Sequence, residues 1–202
     1  KHDPGQADVI IITQLSRASF KNGQYNDIYF KNLPYFLKDQ GEKVVVCGSI
    51  QGEPSLVVGA RNKTLVDKDL AVTSFGAFLR LTDFIPALWG AVFNGIRCVD
   101  VSLPWSVEGT RKLLAEDIRH AIPHIYHGLM IERATARLFK YHPFARIIHI
   151  YENNPWEHAI NLQASKGKRD TIGFLHCAVL PSHLKNFISI EEQSLRPSPD
   201  RI

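Results

Sequence analysis

Residues 8–15 read DVIIITQL, a continuous apolar run of strand length. Runs without polar alternation are typical of strands that are covered on both faces of a parallel sheet. A second such run, KVVVC, occupies residues 43–47. Between the two, residues 26–38 carry apolar side chains near helical spacing, and Gly41 suits the position that ends a helix. This succession of strand, helix and strand predicts a right-handed βαβ unit.

The C-terminal third of the chain repeats this pattern. Strands are predicted at 146–151 and 171–176, with a helix over 154–164 between them. We therefore expect an α/β fold with a doubly wound, Rossmann-like, mostly parallel sheet and helices on both faces. The domain is predicted to span residues 1–193. Residues 194–202, which include two prolines, are interpreted as a linker towards a further domain.

The middle of the chain has a less regular pattern. Residues 72–93 and 107–140 have the spacing of helices, with Ser74 as a candidate N-cap of the first and Pro123 bending or dividing the second. Residues 96–103 fit either a strand or an extended loop, and residues 56–59 a short strand.

Composition narrows the class of protein. Of 202 residues, 45% are hydrophobic and 22% are charged, which argues against disorder. The net charge of +4 suits an anionic small ligand or peripheral contact with an acidic membrane, but it is too small to indicate nucleic acid. Three widely spaced cysteines form neither a disulfide framework nor a metal-binding pair, and they favour a reducing cytoplasm.

Polar residues follow the predicted strand at 146–151, in the block YENNPWE. Asn154 is placed to cap the next helix, and Glu157 to bond back to that cap. Glu152 and Asn153 have no such local role and stand at the carboxyl end of a strand, where open α/β sheets bind ligands. Glu152 is therefore a candidate general base, or a ligand of sugar hydroxyls. A tie to neighbouring backbone amides is the alternative.

Four more residues are candidates for the same edge of the sheet. His176 ends the fourth predicted strand and would share the edge with Glu152 if the two strands are parallel neighbours. Gln14 and Arg17 follow the first strand, where Arg17 suits a phosphate or carboxylate. Trp156 suits stacking on a sugar ring or anchoring the core. For His176 and Arg17 the alternatives are a hydrogen-bonded structural histidine and a solvated arginine.

Several motifs are missing, and one apparent motif has a simpler explanation. The sequence contains no GxGxxG, no GxxxxGK[ST], no GxSxG and no HExxH, which disfavours nicotinamide, P-loop, hydrolase and zinc-protease chemistry. His120, His124 and His127 share one side of a predicted amphipathic helix. A solvated polar face is expected there, and no metal site.

Three segments together resemble a known group of proteins. They are SRASFKNGQYNDIYFKNLPYFL at 16–37, YENNPWE at 151–157 and GFLHCAVLP at 173–181. They are similar to the N-terminal half of bacterial surface-carbohydrate (O-antigen and capsule-type) biosynthesis proteins of the GT-B glycosyltransferase type. In the third segment, Leu175 and Cys177 stand where that group has Gln and Gly.

The resemblance implies two Rossmann-like domains that face a cleft. This chain would bind a sugar or lipid-linked acceptor, and a C-terminal domain would bind the nucleotide sugar, a donor substrate that makes a further cofactor unnecessary. Glu152, Asn153 and Trp156 match the YENNPWE block, and His176 matches the histidine of the third segment. Glu152 or His176 would act on the acceptor hydroxyl, Arg17 would hold an anionic group, and Gln14 and Glu157 would contact substrate.

The resemblance also implies a location and a limit. The protein would work in the cytoplasm, at the inner face of the membrane, without nucleic acid, and the chain alone would be inactive. The alternative is a non-catalytic Rossmann-like module that binds a glycan or a partner.

Overall fold

A computed structural model describes residues 6–21, 24–50, 69–100, 108–152, 154–175 and 197–202, without the side chains of residues 17, 21, 96–100 and 108–119. Its strands are β1 (Val9–Leu15), β2 (Phe20–Lys21), β3 (Gln24–Tyr25), β4 (Val44–Ile50), β5 (Ala71–Ser74), β6 (Arg146–Ile150) and β7 (Thr171–Phe174). Five of them form one all-parallel sheet in the order β5-β4-β1-β6-β7, while β2 and β3 make a small antiparallel hairpin. This order confirms the predicted doubly wound, Rossmann-like sheet.

Helices cover both faces of the sheet. They are α1 (Leu33–Asp39), α2 (Leu81–Asp100), α3 (Glu108–Tyr141) and α4 (Pro155–Lys166). Because successive strand residues point to opposite faces, Ile10 and Ile12 join a core with residues of α3 and α4. Val9 and Ile11 join a second core on the α1 side. The unbroken apolar run that opened the chain is therefore explained by burial on both sides.

The middle of the chain departs from the prediction. Residues 72–74, expected to belong to a helix over 72–93, lie in β5 (Ala71–Ser74), which pairs with β4 and is followed by a 3₁₀ turn at Phe75–Phe78. Ser74 makes no side-chain capping bond. The helix α2 begins only at Leu81, where the Asp83 carboxylate accepts a 2.6 Å hydrogen bond from the backbone N–H of Arg80. The β-branched pair Val72 and Thr73 suits a strand better than a helix start.

Two further expectations for the middle are corrected or refined. Residues 96–100 belong to α2, so the prediction of a strand or loop over 96–103 is wrong for that part. Pro123 lies inside α3, which continues through it as one helix from Glu108 to Tyr141. The short strand expected at 56–59 lies outside the described residues.

Residues 197–202, interpreted from the sequence as linker, lie against β7. Arg201 forms a parallel bridge with Ile172, and the Asp200 carboxylate accepts hydrogen bonds from the Thr171 backbone N–H (2.8 Å) and hydroxyl (2.7 Å). The approach needs a glycine at position 173, because a Cβ there would lie 2.7 Å from the Pro199 ring. The described end of the chain therefore adds to the edge of the sheet.

Candidate functional site

The sheet has a point at which the chain changes direction across it. From β1 the chain proceeds outward through β4 and β5, and it then returns to β6 on the other side of β1. In open α/β sheets, ligands bind in the crevice outside the carboxyl ends of the strands at such a switch point. The crevice here lies where β1 ends at Leu15 and β6 ends at Ile150.

Three half-buried side chains lie at this edge of the sheet, and we call them the rim cluster: Gln14, Tyr29 and Glu152. The Tyr29 hydroxyl donates a 2.8 Å hydrogen bond to Oε1 of Gln14. Burial raises the pKa of Tyr29 above its ordinary value, and the negative charges of Glu152 and Asp27 raise it further. All three rim residues are half-buried. The structure therefore joins one predicted candidate, Gln14, to the Tyr29 hydroxyl by a hydrogen bond, and the charge of another, Glu152, acts on the same hydroxyl.

Tyr29 was missed by the sequence reasoning, and a buried turn explains its position. Oδ1 of Asp27 accepts hydrogen bonds from the backbone N–H groups of Tyr29 (2.7 Å) and Phe30 (2.8 Å). Its Oδ2 accepts one from the Tyr25 hydroxyl, whose pKa is raised by burial and by the Asp27 carboxylate. An Asp that bonds backbone groups two and three residues later is the local signal for such a turn.

The turn also ties the rim to the next strands. The ring of Phe30 packs against that of Phe174, the last residue of β7, with centroids 5.1 Å apart. The backbone N–H of Tyr151 donates a 3.0 Å hydrogen bond to the Phe174 carbonyl. The carboxyl ends of β6 and β7 are therefore neighbours, as the hypothesis of a shared edge requires. Asn153 and His176 themselves lie outside the described residues, as does the side chain of Arg17.

Glu157 has a structural role that the sequence indicated. Its side chain is fully buried. Its carboxylate accepts hydrogen bonds from the backbone N–H groups of Glu152 (2.7 Å) and Asn154 (3.0 Å) and from the Asn154 amide (2.7 Å). Burial raises its pKa, against the effect of these donors. These bonds give Glu157 the role of positioning the Glu152 backbone, and its contact with substrate stays a prediction.

The position of Trp156 fits the role of a core anchor better than that of a platform for stacking on a sugar ring. It is half-buried and packs against both hydrophobic cores, at the end of the sheet where the two meet. Its ring therefore fixes the start of α4 beneath the loop that carries Glu152.

An open cavity of about 560 Å³ lies beside residues 24–39, the segment that also carries Tyr29. It is lined by Gln24, Tyr25, Asn26, Asn32, Tyr35, Phe36 and Asp39. Three carboxamides and one carboxylate supply both donors and acceptors, and the Phe36 ring is 58% exposed. A volume in this range suits a small ligand, and the lining suits a hydroxyl-rich one. No candidate in the sequence analysis pointed to this cavity.

The histidines of α3 show no metal centre. His120, His124 and His127 are exposed on the helix surface, and no group of three His, Cys, Asp or Glu within the described ranges is placed to hold a metal ion. Among the helices that the structure describes, none combines the length and apolar character needed to cross a membrane.

Fold and rim together define a Rossmann-like α/β domain with a polar crevice at its switch point. No protein-family model matches the chain. No curated protein and no solved structure gives a significant match either.

Proposed function

We propose that this chain is the acceptor-binding domain of a glycosyltransferase that transfers a sugar from a nucleotide-sugar donor in surface polysaccharide biosynthesis. The observation that carries the proposal is the position of Glu152, at the carboxyl edge of the sheet beside Tyr29 and Gln14. The resemblance of three segments to GT-B enzymes supplies the reaction class. A second domain of the same protein would hold the donor.

Glu152 would act as the base in this reaction. The acceptor hydroxyl oxygen attacks the anomeric carbon of the donor, and its proton passes to the Glu152 carboxylate. The bond between that carbon and the diphosphate breaks, and the nucleoside diphosphate leaves with the electron pair. Gln14 and Tyr29 would bind neighbouring hydroxyls of the acceptor, and His176, two residues beyond Phe174 in the sequence, is an alternative base. The reaction would take place in the cytoplasm, at the inner face of the membrane where the acceptor is lipid-linked.

The cavity next to α1 supports an acceptor rich in hydroxyls, because carboxamides exchange hydrogen bonds with such groups in both directions. The same observation favours the second candidate, a non-catalytic module that binds a glycan. The two candidates differ in turnover: the module binds sugars without breaking a nucleotide-sugar bond.

The full-length protein assayed against a panel of nucleotide sugars distinguishes them. We expect Glu152→Gln to lower kcat by about 10²–10⁴-fold, the usual contribution of a general base. Glu42→Gln is the control, because Glu42 pairs with Arg146 at the opposite end of β6. Undiminished transfer by Glu152→Gln would remove Glu152 from the mechanism. Sugar binding without transfer from any donor would favour the binding module.

A further inference from the structure

The helix α2 presents its small residues to the protein and its large ones to solvent. Ala87 and Ala91 are fully buried, and a Cβ at Gly90 would lie 3.1 Å from Cδ1 of Leu129 on α3. On the other side six large apolar side chains are exposed, and we call them the apolar face. They are Leu81, Phe84, Ile85, Leu88, Trp89 and Phe93.

The apolar face forms one continuous stripe. Its members recur at intervals of three and four residues, so they lie on one side of the helix over about 18 Å at 1.5 Å per residue. Leu81 is 88% exposed and Trp89 is 73% exposed. A surface helix of a globular protein normally turns polar residues to water. Contiguous apolar patches of this kind mark interaction sites.

The six residues of the apolar face are uncharged, and charged residues lie near its start. Asp83 is the one ionisable residue between positions 81 and 96, and it is buried in an ion pair with Arg137. Arg80 precedes the helix, and Arg97 follows the apolar stretch in the sequence. From the neighbouring helix, Arg133 donates a 2.8 Å hydrogen bond to the Asp83 carbonyl. Two basic residues, Arg80 and Arg133, thus lie near the start of the apolar face, on a chain of net charge +4.

We infer that α2 lies in the plane of an anionic lipid surface, with its apolar face in the boundary between headgroups and acyl chains. Aromatic and aliphatic side chains on one side and arginines at the border are the composition of interfacial helices. Anionic headgroups would pair with Arg80 and Arg133. A second copy pairing through the same stripe would instead bring the basic borders of two copies together. This docking depends on α2 alone and holds whether or not the protein transfers sugar.

Flotation of the full-length protein with vesicles tests the docking. We expect binding to vesicles of phosphatidylglycerol and phosphatidylcholine, weaker binding to phosphatidylcholine alone, and loss of binding as salt rises. Ile85→Ser and Trp89→Ser should each weaken binding about tenfold, since each removes one large apolar side chain from the boundary. Phe36→Ser is the matched control, because Phe36 is similarly exposed on α1 on the other face of the sheet. It should bind as the wild type does.

Three results would overturn the docking. The wild type fails to float with anionic vesicles, or it binds neutral vesicles equally well. In the third, light scattering shows a dimer that Trp89→Ser converts to a monomer, while vesicle binding is unaffected. Circular dichroism confirms that each variant is folded. Sugar transfer to a soluble acceptor should be unchanged in Trp89→Ser, so failure of the docking and failure of the proposed function remain distinguishable.

Discussion

Two polar clusters of this domain contain carboxylates in opposite electrostatic settings. In the rim cluster, burial raises the pKa of the Tyr29 hydroxyl, and the negative charges of Glu152 and of Asp27 in the neighbouring turn raise it further. In the second cluster, which we call the anchor cluster (Arg80, Asp83 and Arg137), a guanidinium meets one carboxylate. Arg137 binds Asp83 through two hydrogen bonds of 2.5 and 2.6 Å, and this pairing lowers the pKa of Asp83 to about 2.

The two settings correspond to two roles. The charges of the anchor cluster stabilise the fold, whereas those near Tyr29 belong to the candidate site. In the anchor cluster, each ion lowers the cost of burying the other, and the pair joins the start of α2 to α3. At the rim, burial and the carboxylates of Glu152 and Asp27 perturb the Tyr29 hydroxyl, and perturbed groups of this kind are common where a ligand or proton is received. Burial alone would not have distinguished them, since both clusters are partly screened from water.

The largest effect on stability is expected from the anchor cluster. Arg137→Ala should lower the free energy of unfolding by about 2–3 kcal/mol, somewhat less than for a fully buried pair because Arg137 retains some contact with water. Because the pKa of Asp83 is lowered in the folded state, the wild-type pair stabilises above the ordinary Asp pKa. That contribution is lost as the pH falls towards about 2. Urea titrations at several pH values measure both effects.

Arg146→Ala is the control for this prediction. Arg146 also pairs with a carboxylate, Glu42, but its side chain is half exposed. An exposed pair contributes about 0–1 kcal/mol, so this variant should change stability little. Equal losses in the two arginine variants would contradict the distinction between an anchoring pair and a surface pair.

A smaller effect is expected where the rim is attached to α4. Glu157→Gln should lower the free energy of unfolding by about 0.5–2 kcal/mol. The carboxylate has two acceptor oxygens for its three hydrogen-bond donors, whereas Gln has one acceptor oxygen. Burial raises the pKa of Glu157, so in the wild type this group costs stability as the pH rises through that raised pKa. The variant should lack this part of the pH dependence, measured by thermal unfolding.

Two other carboxylates serve as comparisons for Glu157. Glu132→Gln removes a surface bond to Lys166 and Gln163 and should change stability by less than about 0.5 kcal/mol. Glu152→Gln should also be nearly neutral for folding while it affects function. A loss of stability in Glu152→Gln as large as that in Glu157→Gln would show that both carboxylates serve the loop.

The sequence predicted those parts of the fold that depend on burial over several residues. The runs that became β1, β4 and β6 are apolar on both faces, which only a covered parallel sheet explains. Residues 72–74 were misassigned because the four residues of β5 are too few to show a period, and the apolar residues after them continue into a helix. The helical spacing over residues 72–93 did not predict the exposed stripe of α2, since hydropathy alone does not reveal which face meets the protein.

The candidate site was predictable at the strand ends and not between them. Glu152 was found because it follows the predicted strand at 146–151, and Gln14 because it lies at the end of the first strand; the carboxyl ends of neighbouring strands meet. Tyr29 lies 15 residues from Gln14 and reaches it through the turn at Asp27, a loop geometry that residue spacing does not encode. The same limit applies to the cavity, whose lining comes from β3 and one side of α1.

The smallest predicted effect tests the rim cluster directly. Glu152→Gln should lower the pKa of Tyr29, because it removes one of the two negative charges that raise it. The pKa should stay above its ordinary value, since burial and Asp27 remain. Ultraviolet titration, with Tyr29→Phe to identify the signal of Tyr29, measures the change, and Glu42→Gln should leave it unaltered. Added salt should reduce the difference between Glu152→Gln and wild type, because part of the rim is open to solvent. An unchanged pKa of Tyr29 in Glu152→Gln would mean that the Glu152 charge does not reach the hydroxyl, and the contrast between rim and anchor would then rest on Asp27 alone.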